Sequence, residues 1–110
     1  MLKGIFLKDI QWFLILDLLE GREEEIETKS EFKLCALCIE NITTRLRVVN
    51  NDSVGIILPT EGWYYILDLI DNRVGEIEEE EEEEELLMLD ESQSIIWEGL
   101  NTDGMPFPEV

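Results

Sequence analysis

The sequence predicts a single α+β domain that is mainly helical. The chain has 110 residues, of which 45% are apolar, so it has the length of one domain and enough apolar side chains to bury a core. Apolar residues recur at helical spacing over most of this length. Val54–Leu58 has the short, β-branched pattern of a strand bounded by turns. No internal repeat of fixed period is expected.

Two helices are predicted in the first forty residues. Asp9 is a suitable N-cap and Gly21 a suitable C-cap for the apolar stretch between them. That stretch is apolar enough for a helix buried on more than one side. Thr28 and Glu31 have the spacing of a capping box and precede an apolar run. We therefore expect a second helix from residue 29 to about residue 38.

A third helix is predicted to begin at Asn41. Ile42, Leu46 and Val49 follow at i, i+4 and i+7, so that they share one apolar face. The turn-forming residues 50–53 should end this helix before the strand begins.

A fourth helix is predicted after the strand. Pro59 should end the strand, because proline cannot donate a hydrogen bond to a neighbouring strand. Thr60 is a suitable N-cap for a helix over residues 61–71. Val74 and Gly75 are expected to interrupt that helix.

The charge of the chain is strongly acidic and unevenly distributed. There are 27 acidic residues, 8 basic residues and no histidine, which gives a formal net charge of -19. Residues 51–110 hold 18 of the acids and a single cation, Arg73. The eight consecutive acids Glu78–Glu85 form a run that is typically solvated. The charge argues against a uniformly basic nucleic-acid binder, but residues 1–50 are much milder.

The missing histidine argues against an enzyme. Histidine is the commonest general base and the commonest metal ligand, and no other catalytic motif is recognisable. We therefore expect no catalytic residue, no cofactor and no metal site. Cys35 and Cys38 are predicted to be core sulfurs of the second helix.

The residues from 45 to 70 resemble the winged helix-turn-helix family. Arg45–Gly55 is similar to the end of a winged-helix recognition helix that runs into the first wing strand. Ile56–Trp63 is similar to the Leu-Thr-x-x-Gly step that leads from the wing to the final helix, and Tyr64–Ile70 resembles that helix. The resemblance covers about residues 5–73. It implies a winged helix-turn-helix fold with a short wing.

On this interpretation the chain has two parts. Residues 1–75 would form the winged-helix-like domain, and residues 76–110 would form an acidic C-terminal extension. In that extension, the apolar runs Leu86–Leu89 and Ser94–Trp97 are compatible with a hairpin or with two helical pieces. The first run and Ile95–Trp97 are also candidates for a dimer contact, so a homodimer is expected.

The resemblance implies a transcriptional regulator that binds double-stranded DNA with its third helix in the major groove. Contacts to phosphates and bases need cations and small polar donors. The candidate DNA-binding residues are Lys29, Lys33, Asn41, Thr43, Thr44, Arg45 and Arg47.

An alternative function needs no basic surface. A small acidic protein can mimic DNA and inhibit a basic nucleic-acid-binding protein, as in viral anti-defence proteins. The candidate contact residues for that partner are Glu78, Glu79, Glu80, Glu81, Glu82, Glu83, Glu84 and Glu85. For either function a cytoplasmic location is expected and no membrane is predicted as a partner. The apolar run Trp12–Leu19 is too short to cross a bilayer and contains Asp17.

Overall fold

The computed structural model describes residues 2–49, 52–80 and 83–101, without the side chains of residues 78–80. The elements in chain order are β1 (Leu2–Lys8), α1 (Asp9–Glu23), α2 (Lys29–Val48), β2 (Ser53–Pro59), α3 (Thr60–Glu80) and α4 (Glu83–Asn101). The prediction of an α+β, mainly helical fold is therefore confirmed.

The two strands form an antiparallel ribbon. Ile5 lies opposite Ile56, and the pairing extends from Leu2 opposite Pro59 to Lys8 opposite Ser53. The side chains alternate between the two faces of the ribbon, as strand geometry requires. The inward face carries Ile5, Leu7, Val54, Ile56 and Leu58, and the outward face exposes Leu2, Phe6, Lys8 and Ile57. The sequence pattern predicted β2 but not β1.

The described residues form two βαα units, a repeat that was not predicted. β1 and α1 begin 51 positions before β2 and α3, at residues 2 and 9 against 53 and 60. At this offset, residues 4–27 and 55–78 are identical at 12 of 24 positions. The identical residues in the first unit are Gly4, Ile5, Leu7, Trp12, Ile15, Leu16, Asp17, Leu18, Arg22, Glu25, Ile26 and Glu27.

The two units are related by an approximate two-fold axis through the ribbon. Ile56 is the counterpart of Ile5 at the offset of 51, and these two residues are also paired across the strands. A residue that faces its own counterpart lies on a two-fold axis. The buried residues of α2 and α4 correspond as well, at an offset of 54: Cys35, Cys38 and Ile42 match Leu89, Ser92 and Ile96. The connection before α4 is thus three residues longer than its counterpart before α2.

The two units interlock around their tryptophans. The Trp12 indole Nε1 donates to the Val54 carbonyl oxygen at 2.9 Å, and the Trp63 indole Nε1 donates to the Lys3 carbonyl oxygen at 3.0 Å. Each tryptophan therefore bonds to the strand of the other unit. The two rings lie 5.7 Å apart between centroids and both are fully buried. Similarly, α2 packs against β2 and α4 against β1.

The second and third predicted helices are one helix, α2. The expected turn near Asn41 is absent, because no glycine or proline interrupts residues 29–48 and the Asn41 amide Nδ2 donates to the Leu37 carbonyl oxygen at 2.8 Å. Thr28 is the N-cap, but its side chain makes no capping hydrogen bond. The helix-turn-helix step implied by the resemblance is therefore missing from residues 29–48. The predicted apolar face is confirmed, with Ile42 buried.

The helices α1, α3 and α4 are also longer than predicted, and α4 contributes to the common core. α1 continues past Gly21 to Glu23, and α3 continues through Val74 and Gly75, so the predicted boundary between residues 75 and 76 falls inside a helix. The two apolar runs after the glutamates belong to one helix, α4, and not to a hairpin. Leu89 and Ile96 lie in the same core as the rest of the fold. Within the described part of the chain, no helix is long and apolar enough to span a membrane.

Candidate nucleic-acid interface

The exposed side of α2 brings three of the predicted cationic residues together. Lys29, Lys33 and Arg47 are all exposed. Lys33 follows Lys29 by one helical turn, and Arg47 follows Lys29 by 18 residues, which is five whole turns of an α-helix. The three side chains therefore lie along one line, about 27 Å from the first to the last. Glu40 is exposed on the same side, between Lys33 and Arg47.

The first turn of α2 adds to the positive character of that end. Since the Thr28 side chain does not cap the helix, the first amide groups keep their hydrogen-bonding capacity. The helix dipole places partial positive charge there, next to Lys29 and Lys33. This end of the helix is therefore suited to an anion such as a phosphate.

The polar candidates at the middle of α2 divide into two kinds. Asn41 and Thr43 bond to the helix itself: the Thr43 hydroxyl Oγ1 donates to the Ile39 carbonyl oxygen at 2.7 Å, and the Asn41 amide donates to that of Leu37. The Thr43 hydroxyl donor and one of the two Asn41 amide donors are thus used within α2. Thr44 is exposed and makes no such bond among the described residues. Thr44 is therefore the candidate whose side chain is not engaged by the helix.

Arg45 does not share the line formed by the other cations. Arg45 precedes Arg47 by two residues, which is more than half a turn of the helix, so the two side chains point to different sides. The Arg45 Nε donates to the Gly55 carbonyl oxygen on β2 at 3.2 Å. The predicted DNA-binding set is thus split between the exposed face of α2 and the side that meets β2.

Two other arginines are held in ion pairs at corresponding places in the two units. The Arg22 Nε lies 2.8 Å from the Glu31 Oε2, and the Arg73 Nε lies 2.7 Å from the Glu85 Oε2. The first pair joins the end of α1 to the start of α2, and the second joins the interior of α3 to the start of α4. The Tyr65 hydroxyl donates to the same Glu31 oxygen at 2.8 Å. Hydrogen bonds from Arg22 and Tyr65 lower the pKa of Glu31, and burial together with the bond to Glu31 raises the pKa of Tyr65.

The eight-glutamate run is divided between two helices. Glu78, Glu79 and Glu80 end α3, whereas Glu83, Glu84 and Glu85 begin α4. Glu83 and Glu84 are exposed, and Glu85 is half-buried against Arg73. Glu81 and Glu82 lie outside the described residues, and so do the side chains of residues 78–80.

Other carboxylates repeat with the two units. Asp17, Glu20 and Glu25 of the first unit have acidic counterparts at the offset of 51. These counterparts are Asp68, Asp71 and Glu76, and all six residues are exposed. The approximate two-fold axis therefore relates two acidic surfaces, one on each unit.

The residues predicted for a dimer contact lie partly inside the protein. Leu89 and Ile96 are buried in the core, so they are not available to a second copy. Leu87 and Trp97 are exposed, and the Trp97 ring lies 5.9 Å from that of Tyr64 between centroids, in a T-shaped arrangement. The homodimer remains a prediction that would have to use these exposed side chains.

The prediction that the cysteines are core sulfurs is confirmed. Cys35 and Cys38 are both free and fully buried. Burial raises the pKa of the Cys38 thiol to about 12, so the thiol carries its proton at neutral pH.

Sequence reasoning missed a groove between α2 and β2, which is lined by Arg45 and by Gly55, Ile56 and Ile57 of the strand. Finding it required knowing that α2 is one helix and that it packs on the strand of the other unit.

Comparisons of this chain with protein-family models, with curated proteins and with solved structures found no match. Among the described residues, no group of three or more Cys, Asp or Glu could hold a metal ion.

Proposed function

We propose that this protein is a small transcriptional regulator that binds double-stranded DNA through the exposed face of α2. The observation that carries the proposal is the line formed by Lys29, Lys33 and Arg47 on one continuous helix. The winged-helix resemblance implies that a third helix contacts the DNA. In this proposal the exposed face of α2 has that role.

The ion pairing of the remaining arginines supports this choice of face. Arg22 and Arg73 are each bound to carboxylates, which neutralise them. In the described part of the chain, no carboxylate is paired with Lys29, Lys33 or Arg47. These three cations, which share one helix face, can therefore exchange counterions for phosphates, and this exchange supplies much of the affinity for DNA.

The residues of this face have separate roles in the proposal. Lys29 and Lys33, together with the first turn of α2, bind phosphates, and Arg47 binds a phosphate or a base edge about 27 Å away. Thr44 donates to a phosphate or a base. Glu40 repels the DNA backbone and so weakens binding to sequences that offer no compensating contact.

The test is a fluorescence anisotropy titration with mixed-sequence duplex DNA at low and moderate salt. Wild-type protein should bind at low salt and lose affinity steeply as salt rises. Lys33→Gln and Arg47→Gln should each weaken binding across sequences and reduce the salt slope by about 1. Glu40→Gln should strengthen binding. The matched control is Lys8→Gln, which removes the same charge from an exposed position on β1.

Two results would contradict the proposal. One is the absence of binding at low salt by both wild-type protein and Glu40→Gln. The other is a loss of affinity on Lys8→Gln as large as that on Lys33→Gln, because binding would then depend on total charge and not on this face.

An inhibitor that mimics DNA is a second candidate, because exposed carboxylates repeat on both units. Asp17, Glu20 and Glu25 and their counterparts present two equivalent acidic surfaces. A basic, two-fold-symmetric nucleic-acid-binding protein is the partner that could contact both surfaces at once. Exposed Glu83 and Glu84 would add to the contact. On this candidate the anisotropy titration yields no DNA binding for any variant.

A further inference from the structure

The groove between α2 and β2 has the size of a small-molecule site. Its volume is about 560 Å³, within the range of roughly 300–1,000 Å³ that ligand pockets occupy. One wall is formed by largely exposed residues of α2 and the other by the middle of β2. The lining residues are Leu37, Glu40, Asn41, Thr44, Arg45, Gly55, Ile56 and Ile57.

The two halves of the molecule differ at this place. In α4, the counterpart of Arg45 at the offset of 54 is Gly99. A Cβ atom on Gly99 would lie only 2.9 Å from the Ile5 Cγ1, so the α4 backbone packs directly on β1. In the other unit the Arg45 side chain lies between α2 and β2. The groove is thus associated with a long side chain where the related unit has glycine.

Arg45 presents its charged end to the groove and is oriented by one hydrogen bond. The bond from its Nε to the Gly55 carbonyl oxygen, at 3.2 Å, holds the guanidinium against β2. The two terminal nitrogens make no hydrogen bond to any described residue. A guanidinium held in this way can receive a carboxylate with two parallel hydrogen bonds.

The rest of the groove is suited to an apolar group. Leu37 and Ile57 keep 40% and 47% of their surface exposed, one on each wall. An alkyl chain that covered them would remove apolar surface from water, which favours binding. Thr44 adds a hydroxyl beside the cation. The lining therefore combines one cation, Arg45, one carboxylate, Glu40, and an exposed apolar side chain on each wall.

We propose that this groove binds a small amphipathic carboxylic acid, with its carboxylate on Arg45 and its alkyl chain against Leu37 and Ile57. The terminal guanidinium nitrogens of Arg45 are the charged donors of the groove and favour a carboxylate over a neutral amphiphile, against the repulsion of Glu40 in the same lining. Glu40 and Thr44 are shared with the face that carries Lys29, Lys33 and Arg47, but Arg45 points to a different side of α2, so binding at Arg45 goes beyond the proposed DNA contact.

The test is an NMR titration of ¹⁵N-labelled full-length protein with octanoate, without DNA. The largest amide shifts should occur at Gly55, Ile56 and Ile57, with a Kd below about 1 mM. Octan-1-ol, which has the same chain without the charge, should bind at least about tenfold more weakly. The absence of DNA makes the result independent of the DNA-binding proposal.

Variants of the two neighbouring arginines identify the source of any binding. Arg45→Gln should weaken octanoate binding about tenfold or more, whereas Arg47→Gln should leave it within about twofold. Arg45→Lys provides a second variant if Arg45→Gln does not fold, and it should also weaken binding because lysine lacks the planar fork. Equal binding of octanoate and octan-1-ol, unchanged binding by the folded Arg45 variant, or shifts confined to other residues would overturn the proposal.

Discussion

At the scale of single residues, Gly99 sets how closely α4 approaches β1. The hypothetical Cβ contact of 2.9 Å to Ile5 is shorter than side chains tolerate, and Ile5 is itself buried at the centre of the ribbon. A larger residue at position 99 must displace either the helix or Ile5. Gly75 offers the opposite case, since no atom outside its own helix lies within 4 Å of a Cβ built there.

We predict opposite effects for alanine at these two glycines. Gly99→Ala should lower the free energy of unfolding by about 1 kcal/mol or more, because overpacking costs roughly 1–3 kcal/mol and exceeds the gain in helix propensity. Gly75→Ala should raise it by about 0.5–1 kcal/mol. Urea denaturation measures both. Equal stability changes of the same sign would show that the contact at Ile5 is unimportant.

The sequence predicts burial better than it predicts hydrogen bonding at this scale. Ile42, Cys35 and Cys38 are buried as predicted. Asn41 and Thr43 were predicted to contact DNA, but their donors bond to the helix because α2 does not break there. Their bonding depends on helix continuity, which their residue types alone do not determine.

At the scale of elements, an arginine–glutamate pair joins consecutive helices in each unit. Arg22 at the end of α1 binds Glu31 in the first turns of α2, and Arg73 on α3 binds Glu85 near the start of α4. The Tyr65 hydroxyl ties Glu31 to α3 as well. Glu31 is thus the point at which three helices are connected by hydrogen bonds to one carboxylate.

We predict that the Glu31 contribution to stability disappears in acid. Because Arg22 and Tyr65 lower the pKa of Glu31 in the folded state, this carboxylate stabilises the fold at a pH above its unfolded pKa. The contribution is lost as the pH falls below the unfolded value, about 4.3 for glutamate, and through the lower folded pKa. The stability difference between wild-type protein and Glu31→Gln should therefore be largest near neutral pH and shrink below that point, as followed by urea denaturation at each pH.

Glu25 provides the control for this prediction. It also pairs with Arg22, but at 3.6 Å and on a more exposed side chain. Glu25→Gln should therefore change stability little at any pH. A difference for Glu31→Gln that does not vary with pH would mean that shape, and not charge, accounts for its effect.

The sequence predicted the type of an element correctly where a local signal was strong. The predictions failed where packing determined the structure. Proline at position 59 and the β-branched pattern marked β2 correctly. β1 carries alternating inward residues, Ile5 and Leu7, but it is stabilised as a strand by pairing with β2, a partner 51 residues away. The continuity of α3 through Gly75 likewise reflects the burial of Ile77 in the core, which outweighs the propensity of one glycine.

At the scale of the whole molecule, neither βαα unit forms a complete core. Trp12 bonds to a carbonyl of the second unit and Trp63 to one of the first. The helices α2 and α4 each cover the strand of the other unit. Separating the units would expose both tryptophans and leave each strand without a partner.

We predict that separate fragments 1–50 and 51–110 do not fold as monomers but assemble when mixed. The mixture should recover the near-UV circular dichroism of the buried tryptophans and should elute at the size of the intact chain. Each fragment alone should be unfolded or self-associated, since each strand needs a partner. A folded, monomeric fragment 1–50 would contradict the interlocked arrangement. Replacing Trp63 with alanine in the second fragment is the control, because it should prevent assembly.

The repeat was visible in the sequence but obscured by its length. Conventional repeats of this size are sought as three or more copies, whereas this chain has two. The matching residues are spread over 24 positions, and the glutamate-rich connection lengthens the second unit by three. The alignment of Trp12 with Trp63 and of Arg22 with Arg73 is the signal that would have revealed β1 and the length of α4 together.

Because the two units are related by an approximate two-fold axis, the fold is compatible with circular permutation. The end of α4 stands to the start of β1 as the end of α2 stands to the start of β2. A circularly permuted chain that is cut between α2 and β2, and whose α4 is linked to β1, would preserve every contact between the described elements. Exchanging the order of the two units in the sequence should therefore leave the fold unchanged. The pair Ile5 and Ile56 would keep its position on the two-fold axis.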